Sequence, residues 1–149
     1  MSAFFNGTLG NDIFDYTALY YETPYFFNGN RSTRVLDAWS PSNTDGALPA
    51  LSETILNNEF TSANWFFVRD GSYVRLRTLQ VGYTLPDSIA SKLGASSARV
   101  FYNGTNLLTL TDFPGLDPEV PRGGALDIGV YQNQYPSNAL SQIGINIKF

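Results

Sequence analysis

The chain has 149 residues, of which 43% are hydrophobic, 15% aromatic and 15% charged, and its formal net charge is −4. This length suits one domain, and an acidic balance without a basic stripe excludes an electrostatic nucleic-acid binder. The sequence has no cysteine and no histidine, which removes thiol nucleophiles, serine–histidine triads and thiolate or imidazole metal sites. We therefore expect neither an enzyme nor a cofactor, and no catalytic or metal-binding residue.

The first predicted element is a strand from Ser2 to Leu9, and a long polar connection follows it from about Gly10 to Ser72. Within that connection the pattern indicates a helix from about Asn11 to Tyr21, with Asp12 near its start. Loops longer than about 15 residues are uncommon in compact domains unless they serve a function. We therefore expect this connection to have a function.

A second strand is predicted from Tyr73 to Leu85, but its apolar residues change parity near the middle. The apolar residues up to Leu76 share one parity, and those from Leu79 onward take the other. One β-bulge near Arg77 and Thr78 would return all of them to one face of the strand. We therefore predict a bulge there.

Pro86 ends the second strand because it cannot donate a ladder hydrogen bond. The segment from Asp87 to Gly94 predicts one or two helical turns closed by the glycine. A third strand is predicted from Arg99 to Leu110, although its apolar residues do not decide which face is inward. A second long polar connection runs from Thr111 to Asn138.

The clearest pattern is the last one, from Ser141 to Phe149. Small or polar side chains alternate there with apolar ones, which are Ile143, Ile145, Ile147 and Phe149. Because successive side chains of a strand point to opposite faces, one face of this strand is wholly apolar. A strand of a soluble sandwich gives the same alternation, but an aromatic end to the chain is typical of a lipid-facing barrel strand.

The connections alternate between long and short along the chain, so the long ones meet at one end of the sheet. That arrangement is typical of outer-membrane barrels with long extracellular loops and short periplasmic turns, and it puts the C-terminus on the short-turn side. Four strands cannot close a barrel, which needs about eight. The predicted fold is all-β: an antiparallel transmembrane β-barrel segment of about four strands, open in this fragment, with two long extracellular loops and short helical turns.

The segment from Gly71 to Pro86 resembles the C-terminal end of the SusC/RagA family of TonB-dependent outer-membrane transporters from Bacteroidetes. Other stretches match the family in the same order along the chain. They are Gly10 to Phe14, Trp39 to Pro41, Asn106 to Leu107, Gly115 to Glu119, Val130 to Tyr131, Tyr135 to Pro136, and Phe149.

The resemblance implies a plugged barrel of the 22-strand size class, located in the cell outer membrane of a Gram-negative bacterium. Such a protein would import an oligosaccharide or a peptide, work with a SusD-like surface lipoprotein as its lid, and take energy through TonB. Residues 1–149 would be the C-terminal portion of a single barrel domain. The plug, the TonB-contacting segment and the signal sequence are not among these residues, so we expect Met1 to be an internal start.

The resemblance also implies roles for the strands. Ile143, Ile145, Ile147 and Phe149 would face outer-membrane lipid and form the terminal signal read by the outer-membrane assembly machinery; plain lipid contact is the alternative. Arg75 and Arg77 should face the lumen or lie near a rim, since a lipid-facing arginine costs about 2 to 4 kcal/mol at the midplane. A salt bridge to a neighbouring strand or plug is their simplest role.

Aromatic residues crowd the first long connection, and a transporter of glycans could stack sugar rings on them. The candidates for substrate contact are Trp39, Tyr16, Tyr20 and Trp65. The alternative is that these rings fasten the loop to its neighbours or to the lid protein.

Two other functions fit the pattern. A small secreted or surface β module could bind glycans through its loop aromatics, but it must cover the apolar face of the last strand. A porin or adhesin barrel that does not use TonB would share the strands and have no lid partner.

Overall fold

The computed structural model describes residues 1–23, 29–51, 64–120 and 128–149. Two compact units make up the chain. The first contains residues 1–10, 72–112 and 136–149, and the second contains residues 11–71 and 113–135. Among the described residues, no helix has the length and apolar character needed to cross a membrane.

The regular elements of the described chain are mostly strands. In chain order, the strands are β1 (Ser2–Thr8), β2 (Asp12–Asp15), β3 (Val68–Asp70), β4 (Tyr73–Thr84), β5 (Ser97–Thr111), β6 (Val130–Tyr131) and β7 (Leu140–Lys148). The helices are α1 (Tyr16–Tyr21) and α2 (Asp87–Ala90), with 3-10 turns at Thr33–Asp37, Trp65–Phe67 and Ser91–Leu93. The chain is therefore mainly β, as the sequence predicts.

The first unit is a four-stranded antiparallel sheet in the order β1-β4-β5-β7. All four predicted strands are confirmed, with bounds within about two residues of those expected. The short connection between β4 and β5 is also confirmed, because Gly94 closes its helical turns in the left-handed conformation at φ 69°.

Both long connections leave this sheet at the same end. Thr8, Tyr73 and Thr111 are neighbours in the ladder there, and the second unit is inserted after β1 and after β5. The turn through α2 lies at the other end, where Lys148 at the end of β7 pairs with Ser97. The C-terminus therefore lies on the short-turn side of the sheet, as predicted.

The β-bulge predicted near Arg77 and Thr78 is confirmed. Against β1, Leu76 and Thr78 pair with successive residues, so Arg77 is the extra residue of β4. Against β5, the register shifts at the same point. There Asn106 and Leu107 lie opposite Arg77, with Asn106 at a positive φ of 52° that asparagine tolerates better than most residues.

The bulge collects the apolar side chains on one face, because directly paired residues share a face. Leu76 and Leu79 have opposite parity in β4 but pair with Phe5 and Ala3, which share a face of the regular strand β1. The same face continues across the sheet through the paired rows Val81–Tyr102–Ile143 and Tyr83–Val100–Ile145. Many of these side chains are exposed, and Ile143 reaches 79%.

The opposite face of this sheet carries mostly polar and small side chains, together with Phe4, Tyr73 and Phe101. Arg75 lies on it beside Tyr73, is 3% exposed, and donates from Nε to Oγ1 of Thr109 at 2.9 Å. The Arg75 guanidinium also stands 5.5 Å from the centre of the Tyr73 ring. At the bulge, Nη1 of Arg77 donates to Oδ1 of Asn106 at 3.2 Å. These three contacts tie both arginines to neighbouring residues of the same sheet.

The second unit contains a small three-stranded sheet in the order β3-β2-β6, which the sequence does not predict. The expected helix from Asn11 was wrong in its first part. Residues from Asp12 to Asp15 pair with β3 and β6, and the helix begins at Tyr16. Its N-cap is Asp15, whose carboxylate accepts from the Ala18 amide at 3.0 Å, and not Asp12.

Some of the apolar side chains of the second unit form two small buried clusters. One cluster joins Ile13 to Phe113 and Tyr131, whose rings meet edge to face at 5.2 Å. The other joins Ala18 and Leu19 of α1 to Phe67. These clusters hold α1 on the small sheet and so fix the position of its exposed side.

The close packing around Gly144, on the polar face of the first unit, predicts the effect of adding a side chain there. A Cβ at Gly144 would overlap the ring of Phe101 on the neighbouring strand. We expect Gly144→Val to lower the free energy of unfolding of the full-length protein by about 1 to 3 kcal/mol, the usual cost of overpacking. Urea denaturation would measure it.

The matched control is Asn146→Val, which adds the same side chain on the same face of β7. Adding Phe101→Ala to Gly144→Val should restore part of the loss, because it removes the overlapping ring. Equal destabilisation by Gly144→Val with and without the Phe101 ring would contradict this explanation.

Candidate functional site

The second unit has an open groove of about 700 Å³ along one side of α1. Its walls are α1, residues 29–31, and the pair Gln132 and Asn133 that follows β6. The lining residues carry aromatic rings, hydroxyls, amides and the Arg31 guanidinium. Such a mixture is typical of ligand sites, where apolar contact gives affinity and a few polar groups fix orientation.

Two tyrosines one helical turn apart form the floor of this groove. The rings of Tyr16 and Tyr20 meet edge to face with their centres 5.0 Å apart, and the Tyr20 hydroxyl donates to the Tyr16 hydroxyl at 2.7 Å. Residues at i and i+4 are neighbours on a helix surface, which explains the contact. The hydrogen bond that Tyr20 donates to Tyr16 is the main cause of a raised pKa of Tyr20, so the Tyr20 hydroxyl stays protonated.

Beside the groove, Glu22 lies between two arginines. Its carboxylate binds Nη1 of Arg34 and, at 3.3 Å, Nη2 of Arg69, and the residue is only 7% exposed. Burial raises the pKa of Glu22, and the attraction of Arg34 and Arg69 opposes that rise. Burial likewise raises the pKa of Asp15, against its hydrogen bond from Ala18.

The structure brings together some of the residues predicted to contact substrate and not others. Tyr16 and Tyr20 both line the groove, whereas Trp39 and Trp65 are not part of its described lining. Trp39 and Trp65 are exposed, the latter at 83%. Three other aromatics of this connection, Tyr25, Phe26 and Phe27, lie outside the described residues.

Sequence reasoning missed Gln132, Asn133 and Glu22. Gln132 and Asn133 follow β6, a strand too short to show alternation in the sequence. Glu22 is a single acidic residue near several aromatic ones and belongs to no motif. Among the described residues, no group of three or more acidic side chains is arranged to hold a metal ion.

The buried carboxyls predict an unusual pH dependence for the second unit. Since burial raises the folded pKa of Asp15 and Glu22 above the ordinary values of 3.8 and 4.5, protonation favours the folded state. The stability that these two carboxyls contribute should be complete at a pH below their ordinary pKa values. It should be lost as the pH rises through their raised pKa values in the folded state. This loss of stability is measured by hydrogen exchange of the Glu22 amide, corrected for the intrinsic exchange rate at each pH. The Glu22 amide donates to the Ala18 carbonyl at 2.8 Å and so reports the end of α1.

The paired variants Asp15→Asn and Glu22→Gln should flatten this dependence, and asparagine keeps the helix cap. Protection of α1 that increases with pH over this range would contradict the prediction.

Comparison with known proteins adds independent evidence. No family model matches the chain. Two relatives from Formosa agariphila, TonB-dependent receptors P3 and P26, are 36% and 31% identical and align with 100% and 99% of this chain. The chain spans about 15% of the length of these relatives.

Solved structures agree with the sequence matches. The RagAB peptide importer in its open-open state matches with a TM-score of 0.78 and 28% identity, over 99% of this chain and 15% of that one. A second structure of the RagAB peptide transporter gives a TM-score of 0.76 at the same identity and coverage. The resemblance inferred from the sequence, and the outer-membrane location that goes with it, are confirmed: the chain is related to one segment of the RagA-like, SusC-like TonB-dependent receptors, outer-membrane proteins of Bacteroidetes.

Proposed function

We propose that the chain is the C-terminal part of the barrel wall of an outer-membrane nutrient importer. The observation that carries the proposal is the exposed apolar face that runs across all four strands of the first unit, opposite a polar face. In water such a face would cause aggregation. Facing lipid, it is the outer surface of a barrel whose polar side lines the lumen.

This face also separates the importer from a small soluble β module that binds glycans. Such a module would have to cover the face, yet Ile143, Ile145 and Tyr83 are more than half exposed. The names of the relatives are those of receptors and importers rather than enzymes. Both lines of evidence support a transporter part.

A barrel needs more strands than these four, and β1 and β7 are the outer strands of the sheet. The relatives have about seven times the length of this chain, so the missing strands, a plug and the TonB-contacting segment have room there. The whole protein would then take energy from TonB and work with a SusD-like surface lipoprotein. The RagAB structures support such a two-protein assembly.

The connections between the strands indicate how the sheet is oriented across the membrane. The end from which the second unit is inserted would be extracellular, and the end with α2 and the C-terminus would be periplasmic. Phe149, which is exposed, and the exposed isoleucines of β7 would then form the signal read by the assembly machinery. Arg75 would face the lumen, and Arg77 would lie at the bulge where β4 meets β5.

The second unit would contribute to the extracellular vestibule, where cargo and lid protein are met. Its groove offers the rings of Tyr16 and Tyr20 with amides beside them, which suits an oligosaccharide or a peptide. Trp39 and Trp65, both exposed and outside the groove lining, are better placed for contact with the lid or neighbouring loops.

Two arginine substitutions on β7 test the membrane orientation. Ile145→Arg should strongly reduce outer-membrane levels of the full-length protein, because a lipid-facing arginine costs about 2 to 4 kcal/mol near the midplane. Gln142→Arg introduces the same residue on the polar face and should be tolerated. Levels are measured by immunoblot of outer-membrane fractions, and equal loss in both variants would contradict the proposal.

Cargo contact is tested by removing one ring. Tyr20→Ala in the full-length importer should reduce the cargo-binding affinity about three- to tenfold, since an aromatic contact is worth about 1 kcal/mol. Tyr135→Ala removes a ring that is 85% exposed and outside the groove, and it should have no effect. Titration calorimetry with oligosaccharide and peptide pools measures both, and unchanged affinity in Tyr20→Ala would exclude the groove as a cargo site.

A further inference from the structure

Residues 29–37, here named the strap, contribute residues 29–31 to one wall of the groove. The 3-10 turn in the strap, Thr33–Asp37, buries none of its residues, and Leu36 is 87% exposed. The chain becomes buried again only at Ala38, which bridges to the buried Leu48. Hydrophobic burial therefore contributes little to the position of the strap.

Polar contacts connect the strap to the end of α1. Arg31 donates from Nη1 to the Tyr20 carbonyl at 2.6 Å, and the Ser32 amide donates to the Tyr21 carbonyl at 3.1 Å. Arg34 binds the carboxylate of Glu22, directly after the helix. Two of these three contacts come from arginine side chains, so the side of the strap next to α1 is attached largely through charged groups. At its other end, Asp37 accepts hydrogen bonds from Asn43, Ala47 and Leu48.

The position of Glu22 is fixed because its second carboxylate oxygen binds an arginine outside the strap. Arg69 of β3 binds that oxygen, donates to the Phe66 carbonyl at 3.0 Å, and lies 5.7 Å from the centre of the Phe66 ring. Glu22 therefore joins the strap to β3, which is paired with the middle strand of the small sheet. Without Arg34, a buried carboxylate would keep only one cationic partner, which is unfavourable.

We propose that Glu22 is the latch of the strap: a positioning residue that, through Arg34, holds the strap against α1 and makes residues 29–31 a movable wall of the groove. When the latch opens, the Glu22 carboxylate gains water and the strap moves away from α1, so the groove widens. The role of this movement in admitting and releasing cargo rests on the proposed function. The latch itself needs no cargo to be tested.

Hydrogen exchange with mass spectrometry on the full-length protein in detergent, without cargo, tests the latch. The amides of Ser32 and Val35 report the strap, since they donate to the Tyr21 and Ser32 carbonyls. Arg34→Gln should speed their exchange at least tenfold, because opening relieves the poorly compensated Glu22 carboxylate. Arg34→Lys keeps one cationic donor and should retain most of the protection.

A double-mutant cycle separates the latch from a general loss of stability. Glu22→Gln should increase the exchange rate of the strap amides less than Arg34→Gln does. The double variant should exchange at the rate of Glu22→Gln, because the buried charge is gone. The matched control is Asp45→Asn, an exposed carboxylate in the same unit that should change nothing. Amides of α1 should stay protected in every variant.

Three results would overturn the latch: unchanged exchange of the strap in Arg34→Gln, additive effects in the cycle, or equal loss of protection in α1 and the strap. Each leaves the proposed function standing. If the exchange data confirm the latch but Tyr20→Ala binds cargo with unchanged affinity, the latch stands and the groove is not a cargo site.

Discussion

The pairing register of the four-stranded sheet is the constraint on which the rest of the structure depends. A slip of one residue in any strand would exchange the two faces of that strand. In β4 such a slip is built into the sequence, since the apolar residues change parity between Leu76 and Leu79. The bulge at Arg77 absorbs it in the pairing with β1 and β5.

Because of this correction, one face of the sheet is apolar from β1 to β7 and the other carries the polar side chains and Arg75. A sheet of this kind has no stable place in water unless something covers its apolar face. Lipid provides that cover in a barrel wall, and the polar face then meets water or a plug. The membrane orientation proposed for this segment therefore follows from the register.

The second unit is organised by a different principle. Some of its apolar side chains form two small buried clusters, while others, such as Trp39 and Trp65, are exposed. The groove lies on α1, which the clusters fix in place, and the strap that bears one of its walls is attached by polar contacts, among them those of Arg31 and Arg34. Polar attachment of a wall to a firmly packed helix allows local movement without loss of the core, a common property of binding loops.

The strands of the first unit could be predicted because they are long enough for alternation to be visible. The bulge could also be predicted, since the apolar residues of the second strand change parity once, between Leu76 and Leu79. The strands of the small sheet were missed because two to four residues show no period, and propensity alone could not arbitrate between strand and helix at Asp12 to Asp15. Their partners are distant in sequence, as with Asp12 and Asp70.

The candidate site was predictable only in part. Tyr16 and Tyr20 have helical spacing, so the sequence could place them side by side once a helix was expected there. Nothing in the sequence pairs Glu22 with Arg69, since 47 residues separate them and no motif links them. The same is true of Gln132 and Asn133, which reach the groove only through the parallel pairing of β6 with β2.

The central claim is that one face of the first unit meets lipid while the other meets water or protein. The most direct measurement places a nitroxide side chain at each position from Gln142 to Lys148 in the full-length protein in outer-membrane vesicles. Collision rates with oxygen, which concentrates in lipid, and with a water-soluble nickel chelate are then compared. The account predicts a period of two, with oxygen contact greatest at Ile143, Ile145 and Ile147. Equal access of the nickel chelate to both sets of positions would contradict it.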